Sequence, residues 1–193
     1  MEGLTKRQNE IVRTSIKLIS EGGVQHFTMK TLAANLGVTE PAIYRHFSGK
    51  MEIFQSMLLM VEAANTRFRV EIRENEPSLS LIEHMFVHHT RVFIENPELS
   101  SIIFSEEIFQ NNKVLSEKVL YIMKERHELT CGIIEQIQKI GEIRDDVPAE
   151  KLTLIIIGTL RLTISRWKLS GFTFDLTKEL KETWSAISCM LIK

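Results

Sequence analysis

The amino-acid sequence predicts an all-α fold, and three observations carry that expectation. Apolar residues recur at three- and four-residue intervals in every long segment. No run alternates apolar and polar residues as a half-buried strand would. The four prolines and nine glycines fall mostly at the joints between periodic segments. Three short N-terminal helices should form a head over residues 1–49, followed by about six helices over 50–193. Internal repeats and low-complexity tracts are lacking.

In chain order, Ile11, Ser15, Leu18 and Ile19 make the buried stripe of a first helix that should end at Gly22-Gly23. The segment Phe27 to Phe47 then reads as two short helices joined at Leu36-Gly37-Val38. Ala33 is small enough for a close crossing, and Gly37 supplies the positive φ of a sharp exit. Thr39 is a natural N-cap, and Pro41 falls in the following first turn, where a missing N–H does no harm. A fourth helix should start with Ser48 as its cap and run from Lys50 to about Glu74, joining the two regions. Pro77, Pro97 and Pro148 divide the remainder into helices near 79–95, 98–107, 112–140, 149–169 and 175–192.

Two short helices joined in this way form a helix-turn-helix, the second of which lies in the DNA major groove. The run Thr39 to Phe47, followed by Ser48-Gly49-Lys50-Met51-Glu52, resembles the DNA-binding head of the tetracycline-repressor (TetR/AcrR) family of bacterial regulators. Ala within the helix-turn-helix, Gly-Val at the turn, Tyr-x-His-Phe and a lysine one turn onward are all present. The resemblance covers roughly the first 55 residues and implies a transcriptional regulator, a repressor in the first instance. The rest of the chain matches the family only in length and helical layout.

Composition agrees with that expectation. The 193 residues suit a small head plus a larger domain with a sizeable core. The formal net charge is −1, but residues 1–50 hold seven basic and four acidic side chains, so the positive charge is concentrated where phosphate would be met. Two cysteines, Cys131 and Cys189, lack zinc-finger or CxxC spacing and fit a reducing compartment. Neither a membrane-length apolar run nor a signal-type block near the start is present. A cytoplasmic location is expected, with no cofactor, no metal and no membrane partner.

The geometry of groove binding nominates DNA contacts. Thr39, Glu40, Ala42 and Arg45 are placed to meet base edges: Arg45 to donate two hydrogen bonds to guanine, Ala42 to touch a thymine methyl. Pro41 shares the same turn. Glu40 either accepts from cytosine N4 or points away, because a carboxylate repels phosphate. Thr28 presents a hydroxyl and helix-terminal N–H groups to phosphate, and Lys30 lies one turn in. Tyr44, His46 and Lys50 occupy positions that the family uses to hold the backbone. Tyr44 has core packing as its alternative.

A groove reader of this class needs two recognition helices about 34 Å apart, so a homodimer is expected. Leu176, Leu180, Trp184, Ile187 and Leu191 make an apolar seam along the last helix, and Leu152, Ile156 and Thr159 offer a facing set on the preceding one. That seam is expected to form the dimer interface, with an internal core as the alternative.

Large flexible or aromatic side chains crowd the second region, among them Met57, Met60, Met85, Phe104, Met123 and Trp167. They nominate a pocket for a small apolar or amphipathic effector, with ordinary core packing as the alternative. His84, His88 and Arg91 share a helix face and could hold an anionic end, as could Arg161 in a very apolar helix. A metal at His84 and His88 is disfavoured, since spacing supplies no third ligand. With no phosphate loop, GxSxG or HExxH, catalysis is not expected. Two readings stay open: a ligand-responsive repressor binding a palindromic operator in double-stranded DNA, and a nucleoid or division factor that needs no small molecule.

Overall fold

The computed structural model describes residues 4–88, 91–95, 97, 99–100 and 112–192, with a few side chains within these ranges left out. Among them are nine helices and no strand: α1 Lys6–His26, α2 Met29–Leu36, α3 Glu40–Tyr44, α4 Lys50–Glu74, α5 Leu79–His88, α6 Arg91–Glu95, α7 Lys113–Lys139, α8 Ala149–Leu169 and α9 Leu176–Leu191. The expected bounds agree to within a residue or two for α4, α7, α8 and α9. The single helix expected over 79–95 corresponds to α5 and α6, with 89 and 90 outside the described residues. Most of the helix expected over 98–107 also lies outside them. α1 is broken at Gly23 (φ 75°), as the paired glycines predict, but a further turn carries it to His26.

The chain forms two compact units, residues 1–64 with 98–120 and residues 65–97 with 121–193. The first therefore reaches beyond the expected 1–49 head. Ile53, Phe54 and Met57 at the start of α4 are buried in it, and the Phe54 ring meets Phe27 edge-on at 5.5 Å. α2 packs on both α1 and α3 around Ile11, Leu32, Ile43 and Phe47, all nearly inaccessible to solvent. Burying such a side chain contributes about 1.5–3 kcal/mol.

In the second unit α9 packs against α5 and α8. Phe86 meets Trp184 at 5.5 Å. Trp167 donates its indole N–H to the Phe174 carbonyl at 3.0 Å and packs edge-on against Phe172, closing the α8–α9 turn. No helix among the described residues is long and apolar enough to cross a membrane.

Candidate nucleic-acid interface

The turn between α2 and α3 follows from its residues. Gly37 adopts φ 66° and ψ 33°, and the Val38 N–H returns to the Ala33 carbonyl at 3.0 Å, which ends α2 and redirects the chain. Ala33 is buried at the crossing. Thr39 is the exposed N-cap of α3, and its side chain makes no capping bond to the helix. Ile43 and Phe47 anchor α3 inward, which turns Thr39, Pro41, Tyr44 and Arg45 to solvent. Tyr44 is 50% exposed, so the alternative of core packing does not hold for it. Glu40, Ala42 and His46 are half-buried beside them.

Thr28 caps α2 in a reciprocal box with Thr31: each side-chain oxygen accepts the other residue's backbone N–H at 2.9 Å. Its hydroxyl is thus committed to the helix, and the feature it leaves for phosphate is the helix terminus itself. Lys30 is exposed one turn in. The Lys50 ammonium stands 5.2 Å from the centre of the Phe27 ring. Ser48 was expected to cap α4 directly, but its N–H and hydroxyl both donate to the Glu52 carboxylate, at 2.6 and 2.9 Å. Ser48 thus stands two positions ahead of Lys50, and both its backbone and its side chain are held by the Glu52 carboxylate.

The exposed face of this short helix, held by an apolar core, carries a hydroxyl, a phenol and a guanidinium, groups of the kind that contact nucleic acid. Residues 11–57 match the family described as bacterial regulatory proteins, tetR family, and residues 55–189 match the C-terminal region of YsiA-like proteins. The chain belongs to the tetR family of bacterial regulators. It is 28% identical over 192 residues to the nucleoid occlusion factor SlmA of Vibrio campbellii, covering 97% of this chain and 96% of that protein. Among solved structures, the ketosteroid regulator KstR2 of Mycobacterium tuberculosis superposes with a TM-score of 0.84 at 17% identity, covering 98% of this chain and 97% of that one. The regulator FadR of Bacillus subtilis, solved in complex with stearoyl-CoA, gives 0.80 at 21%, covering 97% and 100%. The family consists of DNA-binding regulators rather than enzymes, and the fold is the one these structures share.

The apolar seam chosen for dimerisation turns out to face inward. Leu152, Ile156, Leu176, Leu180, Trp184, Ile187 and Leu191 are all buried within a single tetR-family protomer, and Thr159 is half-buried. A side chain already covered by its own chain is not what a second copy meets, so the internal-core alternative holds for this seam. α8 carries a second apolar face instead: Leu154, Ile155 and Leu162 are 60%, 50% and 62% exposed, and Leu169 is 84% exposed. Ile155, Gly158, Leu162 and Leu169 fall at helical spacing on one stripe. A Cβ at Gly158 would meet nothing within 4 Å. The signal was present in the sequence, where Leu154 to Ile157 make α8 apolar around more of its circumference than one core requires.

The effector candidates scatter by burial. In the first unit Met57 is core and Met60 half-buried. In the second, Met85 and Trp167 are core, Met123 is half-exposed, and Arg91 pairs with Glu95 at the surface. Arg161 is half-buried in α8, whereas the His88 side chain and Phe104 lie outside the described residues. His84 contacts Glu71 at 2.6 Å and borders an open polar hollow of about 400 Å³, lined also by Asn75, Glu76, Ser78, Ser80 and Leu81. Among the second unit's described candidates it alone lines that hollow. No set of three metal-binding side chains occurs among the described residues. Charged groups missed in the sequence tie α4 to α7: Arg69 donates twice to Glu125, at 2.7 and 2.8 Å, and burial lowers the Arg126 guanidinium to about 10 against the opposing pull of Glu71.

Proposed function

We propose that this tetR-family chain is a homodimeric transcriptional repressor acting in the cytoplasm. It reads a palindromic operator through α3 and is released by a small apolar or amphipathic effector. The observation that carries the DNA half is the outward face of α3, where Thr39 and Arg45 stand over a filled core. Arg45, Ala42 and Thr39 read bases; Glu40 either accepts from cytosine or turns away; Tyr44, His46, Lys50, Lys30 and the α2 terminus beneath Thr28 hold phosphate. The outward stripe of α8, with Gly158 open to close approach, supports a dimer that sets the two recognition helices one DNA turn apart.

Release by a ligand follows from linkage. An effector that prefers the DNA-free conformation must weaken DNA binding by the same factor, typically with about 1–3 kcal/mol of coupling. Support for an effector comes from a relative of the same fold solved with stearoyl-CoA. A thermal-shift screen of amphipathic acids, followed by DNA competition, tests it: a stabilising compound should displace the duplex.

The likeness to SlmA favours a second reading, a nucleoid or division factor controlled without a small molecule. Mapping chromosomal occupancy separates the two. A repressor should occupy a few promoter-proximal palindromes, whereas a nucleoid factor should occupy many sites spread over the chromosome and find no stabilising compound in the screen.

A further inference from the structure

Gln8 is not among the residues nominated for DNA contact, yet its side chain reaches two places at once. Its carboxamide oxygen accepts from the Thr5 N–H at 3.0 Å while its own backbone N–H donates to the Thr5 hydroxyl at 3.2 Å, closing a capping box at the start of α1. The amide nitrogen donates to the His46 carbonyl at 3.2 Å, across 38 residues of sequence. That carbonyl lies in the turn that ends α3, between exposed Arg45 and buried Phe47. Asn9 adds a local tie at the same end of α1, donating to the Leu4 and Thr5 carbonyls at 3.1 Å each.

α3 spans five residues and its N-cap makes no side-chain bond. A helix this short has no stability of its own, and its pose is dictated by tertiary anchors. Ile43 and Phe47 fix its depth, but apolar contacts are non-directional. A hydrogen bond to a carbonyl in the turn that follows the helix constrains rotation and tilt, because it weakens steeply when misaligned. Base-edge contacts are as directional as that tether, whereas charge attraction to phosphate tolerates small displacements.

We propose that Gln8 is a positioning residue for sequence discrimination: by holding the His46 carbonyl it sets the pose of Arg45 without touching DNA. This rests on the reading that α3 enters the groove.

The test uses the full chain and a duplex selected by it from a random library. Gln8→Met removes both functions of the amide at similar length. Thr5→Ala weakens the cap but leaves the bond to His46. Gln8→Met should bind the selected duplex about three- to tenfold more weakly, the worth of one net hydrogen bond. Its affinity for an unrelated duplex and its salt slope should match those of the unsubstituted chain. Thr5→Ala should keep the unsubstituted ratio of selected to unrelated affinity. In DNA-free protein the Phe47 amide nitrogen, bonded to the His46 carbonyl carbon, should shift in the ¹⁵N–¹H spectrum of Gln8→Met and stay put in Thr5→Ala. Gln8→Glu keeps the capping-box acceptor, removes the donor and adds a negative charge. The charge penalty falls on both duplexes alike, so this variant guards against a folding defect and should still lower the ratio of selected to unrelated affinity.

Equal losses in Gln8→Met and Thr5→Ala, equal losses on both duplexes, or an unmoved Phe47 resonance would each overturn the positioning role. If the unsubstituted chain selects no sequence at all, the groove reading falls and the positioning role falls with it. Normal selection with an unchanged Gln8→Met overturns the positioning role alone.

Discussion

In the head, Phe27, Leu32, Ile43 and Phe47 are buried, and what remains outside is Thr39, Pro41, Tyr44 and Arg45 on and beside α3, with Lys30 on α2. In α8, Leu152, Ile156, Ile164 and Trp167 are buried to a similar degree, but what remains outside is Leu154, Ile155, Leu162 and Leu169. Both regions complete a core, so burial alone does not separate them. The chemistry left over does. Donors and a guanidinium suit a polyanion, whereas a contiguous apolar stripe on a helix suits another apolar surface. Among its described residues the head leaves no large aliphatic side chain fully exposed; α8 has more such side chains than its own core takes up.

The sharpest way to break that comparison is to hit the inward and outward faces of the α8–α9 pair separately. Trp184→Ala opens a cavity between α9 and α5 and should cost about 3–5 kcal/mol of folding stability, read by chemical denaturation. Leu162→Glu should leave the protomer folded by circular dichroism yet convert a dimer to a monomer at micromolar concentration, because a lone charge in a desolvated interface is strongly destabilising. Light scattering checks it. A dimer that survives Leu162→Glu would take the outward stripe out of the interface.

Much of this was legible in the sequence, and the failures have a common physical origin. The helix-turn-helix could be placed because its determinants are local: Gly37 for the exit, Thr39 and Pro41 for the restart, Ile43 and Phe47 for the anchor. The long helices were equally plain, since periodicity and proline punctuation are local too. What periodicity does not encode is which neighbour covers a given stripe. Leu176, Trp184 and Leu191 have the same spacing whether their partner is α5 or a second chain, and only the tertiary packing of α9 decides it. The Ser48–Glu52 pair and the Gln8 tether depend on side-chain reach rather than on type, so residue identity hinted at them without fixing either. Met85 and Trp167 looked like pocket lining because core and cavity draw on the same residue types.

A smaller effect is expected on the polar side of the comparison. Arg45→Ala should relax preference at one base position in each half-site and cost about 1–3 kcal/mol if the contact is bidentate. Repeating the selection with the variant checks it directly. Affinity for unrelated duplex should fall much less, because most of that binding comes from phosphate. An unchanged selected motif would remove Arg45 from the base readers and leave it as one more cation on the surface.

The smallest effect concerns Lys50, where both kinds of leftover chemistry meet in one side chain. Its ammonium stands over the Phe27 ring at 5.2 Å, an attraction worth about 0.5–1 kcal/mol at an exposed site. The same charge is a candidate phosphate contact, and a single ammonium serves the two partners in competition. If it leaves the ring for DNA, Lys50→Ala should weaken binding about equally on all sequences and make the salt slope less steep by about one. If it stays over Phe27, the slope is unchanged and only the DNA-free protein loses stability, by less than about 1 kcal/mol. Measuring both quantities on one variant separates the outcomes. Lys50→Met retains most of the stem while removing the charge, so it tells lost packing apart from lost electrostatics.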